Sequence, residues 1–261
     1  MSSLTATVGS PPSGTRSGGT RSGGTGSGGT GSGAFVALWA ALTGVLLATA
    51  VVLIYRAPVE LQMGISQKIF YFHVPSAYAM YIGFFTAAIA SAVYLIKGSD
   101  RAESVAIAGA EVGVLFCIIV LTSGPLWARK AWGVWWTWDP RLTTTLLAGM
   151  VFLAYLMLRG FAGPSAGTTE RKFAAGLAIF GILDLPVIHY SVQRWRGQHP
   201  TVITNKGGGL DPGMYPALYV SFAAFTALVV LMLILRSRQE RLAFQVEELR
   251  QTLSERGYDE V

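Results

Sequence analysis

The sequence predicts an all-α, polytopic membrane protein with six transmembrane helices and a Trp-rich interfacial segment between helices 3 and 4. Of its 261 residues, 52% are hydrophobic and only 13% are charged. The mean hydropathy is +0.47, which is too apolar for an ordinary soluble domain. Apolar runs of roughly 20 residues, the length that crosses a bilayer, recur along the chain. They lie at about 34–55, 76–96, 102–124, 142–161, 172–193 and 215–235.

The two ends of the chain lie outside these runs. Residues 1–33 form a Gly/Ser/Thr repeat with almost no apolar side chains, so we expect a disordered tail. The tail lacks the layout of a cleavable secretory signal, and we therefore expect the first apolar run to remain as an anchor. A membrane domain is predicted over 34–235 and a cytoplasmic C-terminal segment over 236–261. Heptad-like spacing from Leu235 to Leu253 fits either an extension of the sixth span or a helix on the membrane surface.

Cysteine content and charge exclude several classes of function. Cys117 is the single cysteine, which excludes an intramolecular disulfide and a thiolate metal cluster built by this chain alone. The net charge is +6, but the basic residues are spread along the membrane flanks. We therefore expect no nucleic-acid partner, and lipid headgroups are one simple explanation for the basic flanks.

An even number of spans places both termini on one side of the membrane. We call that side, with loops 97–101 and 162–171, the terminal face. The distal face is the opposite side, with loops 56–75, 125–141 and 194–214. Lys and Arg slightly favour the terminal face, which by the positive-inside rule indicates cytoplasmic termini.

All three histidines, His73, His189 and His199, lie on the distal side of this topology. His73 is expected just before the second span, with Pro75 in the first helical turn. His189 is expected about one turn inside the outer end of the fifth span. Two histidines at similar depth on different helices suit axial ligation of one haem iron. Each could instead be an interfacial side chain with satisfied hydrogen bonds.

Five of the seven tryptophans fall within the segment 127-WARKAWGVWWTWDPRLT-143. The spacing of Trp132, Trp135, Trp136 and Trp138 predicts a short interfacial helix with the indoles on one broad face. An aromatic belt would scatter its tryptophans over all helix ends, whereas this crowding favours a platform for a flat apolar ligand. Nearby basic side chains, Arg129, Lys130 and Arg141 among them, would bind carboxylates at the edge of that ligand.

Three further features carry expectations. Pro186 should kink the fifth helix just below His189, and Asp184 would either bond the backbone around the kink or serve as a proton group. Glu111 lies near the middle of the third span and is expected to be protonated or paired. Small residues around it, from Ala106 to Gly113, should allow a neighbouring helix to approach closely.

These segments resemble a known family. The stretch 132-WGVWWTWDPRLT-143 resembles the WWD motif of the haem-handling membrane proteins of cytochrome c biogenesis. The stretches 69-IFYFHVPSA-77 and 185-LPVIHYSV-192 resemble the two histidine segments of the CcmC (cytochrome c maturation protein C) family. The similarity covers roughly residues 35–235. The Gly-rich tail departs from the family pattern, and no ligand role carries over to His199.

The resemblance implies one non-covalent haem b with His73 and His189 as axial ligands of the iron. The site would lie at the outer face of the bacterial cytoplasmic membrane, with both termini cytoplasmic. Haem would pass to the chaperone CcmE, with CcmA, CcmB and CcmD as further partners. The carried-over motif residues are Trp132, Trp135, Trp136, Trp138, Asp139 and Arg141. The propionates are assigned to some of Arg129, Arg141, Arg194 and Arg196.

No catalytic nucleophile is predicted, and help with covalent attachment of haem to the chaperone stays open. The nearer alternative is a CcsA-type haem-delivery subunit of a cytochrome c synthetase. A b-type electron-transfer cytochrome fits less well, because it normally shows paired histidines along its spanning helices. A solute transporter would need broken spans around a polar midplane site, and only Glu111 hints at one.

Overall fold

The computed structural model describes residues 28–61, 63–163, 167–195 and 209–256. Within these ranges the chain forms seven α-helices and two short 3-10 helices, with no β-strand. The α-helices are α1 Gly28–Arg56, α2 Phe70–Lys97, α3 Asp100–Trp132, α4 Pro140–Ala162, α5 Thr168–Ile182, α6 Asp184–Trp195 and α7 Tyr215–Glu255. The 3-10 helices, Ile65–Ile69 and Pro212–Met214, lead directly into α2 and α7.

Six helical segments of the described chain are long and apolar enough to cross a membrane, which confirms the predicted fold class. α5 and α6 together form the fifth segment, with a break at Leu183. Pro186 explains the break, since it lacks an N–H and its ring clashes with the carbonyl four residues earlier, at Ile182. Ile182 is the last residue of α5, so the predicted kink is confirmed.

Several predicted helix ends were wrong. α2 begins at Phe70 rather than near residue 76, so His73 lies inside the helix and Pro75 beyond its first turn. α3 continues past Pro125 to Trp132, eight residues further than predicted. Periodicity alone marks apolar positions, and it does not show that the polar and proline-containing ends of these two helices stay helical. Residues 28–33, predicted as tail, are helical, and residues 1–27 lie outside the described ranges.

α2 and α3 form the closest helix pair of the bundle. A Cβ atom added to Gly109 would lie 2.6 Å from the backbone nitrogen of Ala87, and one added to Gly83 would overlap the backbone of Gly113. Only glycine permits this approach, so the prediction of a close helix contact around Gly109 is confirmed. Next to this contact, Phe84 of α2 stacks on Phe152 of α4 with ring centroids 4.0 Å apart.

α7 forms one continuous helix of 41 residues. At a rise of about 1.5 Å per residue it is roughly 60 Å long, twice the thickness of the hydrocarbon core. The C-terminal segment therefore extends the sixth span, one of the two predicted alternatives. α1 packs against α7, where the indole N–H of Trp39 donates to the carbonyl of Ala227 at 3.0 Å.

Glu111 of α3 pairs with Arg236 of α7. Arg236 Nε donates to Glu111 Oε2 at 2.5 Å, and Arg236 Nη2 donates to Glu111 Oε1 at 2.6 Å. This two-point contact stabilises the carboxylate against burial in an apolar environment. Of the two states expected for Glu111, the structure therefore favours the paired one.

Candidate functional site

His73 lies in the distal part of α2, against the distal end of α3. Its Nδ1 atom is 2.9 Å from the hydroxyl oxygen of Ser123. A Cβ atom at Gly124 would lie 3.4 Å from His73 Cε1, so the imidazole lies beside this residue of α3. The bundle thus positions this histidine through contacts with two consecutive residues of a neighbouring helix.

A cavity of about 370 Å³ opens beside the imidazole of His73. This volume lies within the range of small-molecule binding pockets. The wall is mostly apolar and aromatic, and two carboxylate residues, Glu60 and Asp211, also contribute to it. Among the described residues that line the cavity, none is Lys or Arg. Prominent lining residues are Phe70, Val74, Trp127, Trp132, Leu142 and Met214.

The tryptophans divide into two groups. Trp127 and Trp132 belong to the last turns of α3, pack edge-to-face with centroids 5.1 Å apart, and line the cavity. Trp136 and Trp138 form a second edge-to-face pair at 5.7 Å and are absent from the cavity wall. Trp135 and Trp138 are 57% and 75% exposed, so they present indole surface outside the bundle.

The short interfacial helix predicted over the tryptophans was wrong. α3 ends at Trp132, and Gly133 follows with a φ of 77°, a left-handed conformation that favours glycine and ends a helix. Residues 134–139 are irregular until α4 begins at Pro140. The indoles of Trp135, Trp136 and Trp138 are therefore placed by a loop and do not share one helical face.

Asp139 has a structural role that the sequence interpretation missed. It is the N-cap of α4, and its side chain accepts a hydrogen bond from the backbone N–H of Arg141 at 2.9 Å. An Asp followed by Pro at the first helical position is a known signature of a helix start. The Asp-Pro dipeptide could therefore have predicted where the Trp-rich loop ends.

Arg141 contacts the backbone of one predicted iron ligand. Its Nη2 atom donates to the backbone carbonyl of His189 at 3.2 Å. The Nε atom of Arg141 and the indole nitrogen of Trp136 are shielded from solvent and make no hydrogen bond within the described part of the chain. Both are donors that an acceptor on a ligand or partner would satisfy.

His189 occupies a different environment from His73. It lies in α6, its side chain is exposed, and its ring packs edge-to-face on Tyr190. It is absent from the wall of the cavity beside His73. The bundle therefore brings one of the two predicted ligands to the cavity and leaves the other on the neighbouring surface, so the paired ligation stays a prediction.

The remaining predicted residues are distributed around the same end of the bundle. Arg129 and Arg194 are exposed, and neither lines the cavity; Arg129 donates to the carbonyl of Gly133. Asp184 is the first residue of α6, in keeping with a structural role at the kink. His199 and Arg196 lie outside the described residues.

Comparisons with known proteins agree with the motif resemblance. A sequence profile described as "CcmC: Heme exporter protein C" matches residues 30–252. The chain is 34% identical over 213 residues to "Heme exporter protein C" of Bradyrhizobium diazoefficiens, which covers 80% of each chain. It is 32% identical over 205 residues to the protein of the same name from Escherichia coli K12, covering 76% of this chain and 79% of the relative.

A mitochondrial relative is also similar. The "Putative cytochrome c biosynthesis ccmC-like mitochondrial protein" of Marchantia polymorpha is 29% identical over 192 residues, covering 73% of this chain and 81% of the relative. The profile match over residues 30–252 includes the residues of the His73 cavity, the Trp-rich loop and α6. These are the elements of the distal face.

Proposed function

The chain belongs to the CcmC family of haem exporter proteins, and from this we propose that it binds one haem at its distal face and delivers it to the chaperone CcmE. The protein works in cytochrome c biogenesis as a haem-handling membrane protein. Its proposed role is delivery of a cargo. CcmA, CcmB and CcmD are further proposed partner proteins, because the chain belongs to this family.

The observation that carries the proposal is the imidazole of His73 at the wall of an apolar, aromatic cavity. A porphyrin is a flat apolar macrocycle, and Trp127 and Trp132 offer it aromatic surface. A neutral imidazole is an axial ligand for its iron. The aromatic lining and the imidazole of the cavity therefore suit the apolar face and the iron of haem.

The negatively charged propionates of haem have to lie outside this cavity, because the carboxylates of Glu60 and Asp211 in its wall would repel them. Arg141 is the best-placed cation for a propionate, since its Nε atom is shielded from solvent and has no hydrogen-bond acceptor within the described chain. Arg129 and Arg194 are exposed and are the secondary candidates.

His189 is proposed as the second axial ligand, with weaker structural support than His73. The His189 ring is accessible. Arg141, which lies at the cavity end of α4, donates a hydrogen bond to the backbone carbonyl of His189. Ligation on both sides would block access of oxygen to the iron while one edge of the porphyrin stays open to the chaperone. The exposed indoles of Trp135 and Trp138 are the proposed contact surface for that chaperone.

The six spans make the chain a multi-pass membrane protein, and its bacterial relatives support the bacterial inner membrane as its location. We further propose cytoplasmic termini and a periplasmic distal face. Introduced single cysteines at the exposed residues Leu61 and Leu253 would test this orientation. In spheroplasts, a membrane-impermeant thiol reagent should label Leu61→Cys and leave Leu253→Cys unlabelled, and the reverse pattern would refute the orientation.

The ligand assignment is tested by absorption spectra of the purified, reduced protein after His73→Ala and His189→Ala substitution. We expect loss of haem in His73→Ala and altered haem bands in His189→Ala. The third histidine provides the matched control, His199→Ala, whose spectrum should equal that of the unsubstituted protein. Normal haem content and bands in His73→Ala would contradict the proposed site.

A further inference from the structure

Ser123 forms hydrogen bonds in two directions, along its own helix and across to α2. Its hydroxyl donates to the carbonyl of Ile119, one turn earlier in α3, at 2.6 Å. Its oxygen also lies 2.9 Å from Nδ1 of His73 in α2. A hydroxyl has one proton, and the short distance to the Ile119 carbonyl requires that proton, because two oxygen acceptors would otherwise repel each other.

The proton between Ser123 and His73 must therefore belong to the imidazole. His73 Nδ1–H donates to the Ser123 oxygen, which accepts through a lone pair. In a neutral imidazole only one nitrogen carries a proton. This hydrogen bond thus selects the tautomer in which Nε2 is unprotonated.

Back-bonding of Ser and Thr to a helix carbonyl is common in this chain and has no functional meaning alone. Thr122, the preceding residue, donates to the carbonyl of Ile118 at 2.8 Å and is exposed. Thr86 and Thr226 do the same in α2 and α7. What distinguishes Ser123 is the second bond, which crosses to the nitrogen of a histidine on another helix.

The neighbouring residue supports the same geometry. A Cβ atom at Gly124 would lie 3.4 Å from His73 Cε1, so the imidazole lies beside α3 at this position. Ser123 bonds to one nitrogen of the ring, and Gly124 lies beside the adjacent ring carbon.

We propose that Ser123 is a positioning residue that fixes the Nδ1–H tautomer of His73 and presents Nε2 to the haem iron. The inference rests on the proposed function, in which His73 is an iron ligand. Hydrogen bonding at the far nitrogen makes an imidazole a stronger donor to the metal, and loss of such partners typically lowers metal affinity about 10- to 100-fold. Loss of the Ser123 hydroxyl should therefore weaken haem binding and raise the reduction potential of the bound iron, since a weaker donor stabilises the ferric state less.

The test compares Ser123→Ala, Ser123→Thr and the control Thr122→Ala in the full chain purified in detergent and loaded with haem. Haem affinity, the absorption bands and the midpoint potential are measured on each. We expect Ser123→Ala to lose affinity roughly tenfold, with a higher potential and shifted bands. Ser123→Thr, which keeps the hydroxyl, should restore all three, and Thr122→Ala should match the unsubstituted protein.

His73→Ala in the same series distinguishes the proposed role of His73 as iron ligand from the proposed role of Ser123. If His73→Ala leaves haem binding intact, the proposed ligand is wrong. If His73→Ala abolishes binding while Ser123→Ala keeps the affinity, bands and potential of the unsubstituted protein, the role of Ser123 is refuted and that of His73 stands. A loss of affinity in Ser123→Ala with unchanged bands and potential, or equal losses in Ser123→Thr, would indicate a packing role and also refute the inference.

Discussion

The two ends of the helix bundle differ in the surface that they present. At the terminal face, charged groups are buried in contact with opposite charges. At the distal face, indole rings are exposed beside an apolar cavity. Shielded nitrogens without a hydrogen bond occur at both ends, Arg159 Nε at the terminal face and Arg141 Nε at the distal face. The exposed aromatic surface and the cavity are therefore the features that indicate a binding role for the distal face.

The cluster at the terminal face consists of Asp100, Glu103, Arg159 and Arg171. Glu103 Oε1 lies 2.8 Å from Arg159 Nη2, and both side chains are buried. Arg171 also pairs with Glu103 and with Asp100, and its guanidinium lies 5.3 Å from the ring centres of Tyr94 and Phe244. The cluster therefore joins five helices, α2 to α5 and α7.

The distal face has the opposite character. Trp135 and Trp138 are exposed, and the buried nitrogens of Trp136 and Arg141 make no hydrogen bond within the described residues. The cavity beside His73 adds apolar surface that is not filled by side chains. An unfilled cavity and nitrogens without hydrogen bonds make this end of the bundle less stable than a fully packed one. Haem and a partner protein would contact these same features.

The largest effect is expected at the terminal face. Glu103→Ala removes the carboxylate that both Arg159 and Arg171 contact, and leaves buried positive charge unpaired. Breaking a buried ion pair costs about 3–5 kcal/mol, so the free energy of unfolding in detergent should fall by that amount. Asp100→Asn is the control, because the Asp100 side chain is 64% exposed and such pairs contribute about 0–1 kcal/mol. Equal effects of the two substitutions would contradict the assignment of Glu103 to the stabilising core.

An intermediate effect is expected at the distal face, on binding and not on stability. Replacing both Trp135 and Trp138 with alanine should weaken binding to the haem chaperone by about 2 kcal/mol, roughly 30-fold, as for interface tryptophans. The unfolding free energy should stay nearly unchanged, since both rings are exposed. Phe161→Ala is the control, because Phe161 is 85% exposed at the terminal end of α4. If the double variant binds the chaperone as tightly as the unsubstituted protein does, these indoles serve only as membrane anchors.

The smallest effect comes from a matched pair of glycines. Gly133 ends α3 at the distal face with a φ of 77°, and Gly98 ends α2 at the terminal face with a φ of 62°. Alanine in this conformation costs about 1 kcal/mol, so Gly133→Ala and Gly98→Ala should lower the unfolding free energy similarly. Only Gly133→Ala should also slow haem transfer, because Gly133 sets the path of the Trp-rich loop. Similar transfer rates in the two variants would mean that the course of this loop is not needed for delivery.

Sequence patterns predicted the helices well and the contacts between them poorly. Apolar runs predicted six spans, Pro186 predicted the break in the fifth, and the residues around Gly109 predicted a close helix pair. The contact of Glu103 with Arg171 was not predicted. These residues are 68 positions apart, and their contact depends on how α3 and α5 are rotated about their axes. The contact of Ser123 with His73 was not predicted, for the same reason, although His73 was singled out as a candidate ligand.

The Trp-rich segment illustrates the division between local and tertiary information. Its composition predicted a binding surface, and its motif identified the family, since both are properties of consecutive residues. Its shape depends instead on Gly133 ending α3, on Asp139 starting α4, and on the packing that brings Trp127 and Trp132 to the cavity and leaves Trp135 and Trp138 outside it. Spacing along a chain records which residues are near in sequence, whereas the wall of a cavity is formed by residues from several helices, and their positions follow from packing alone.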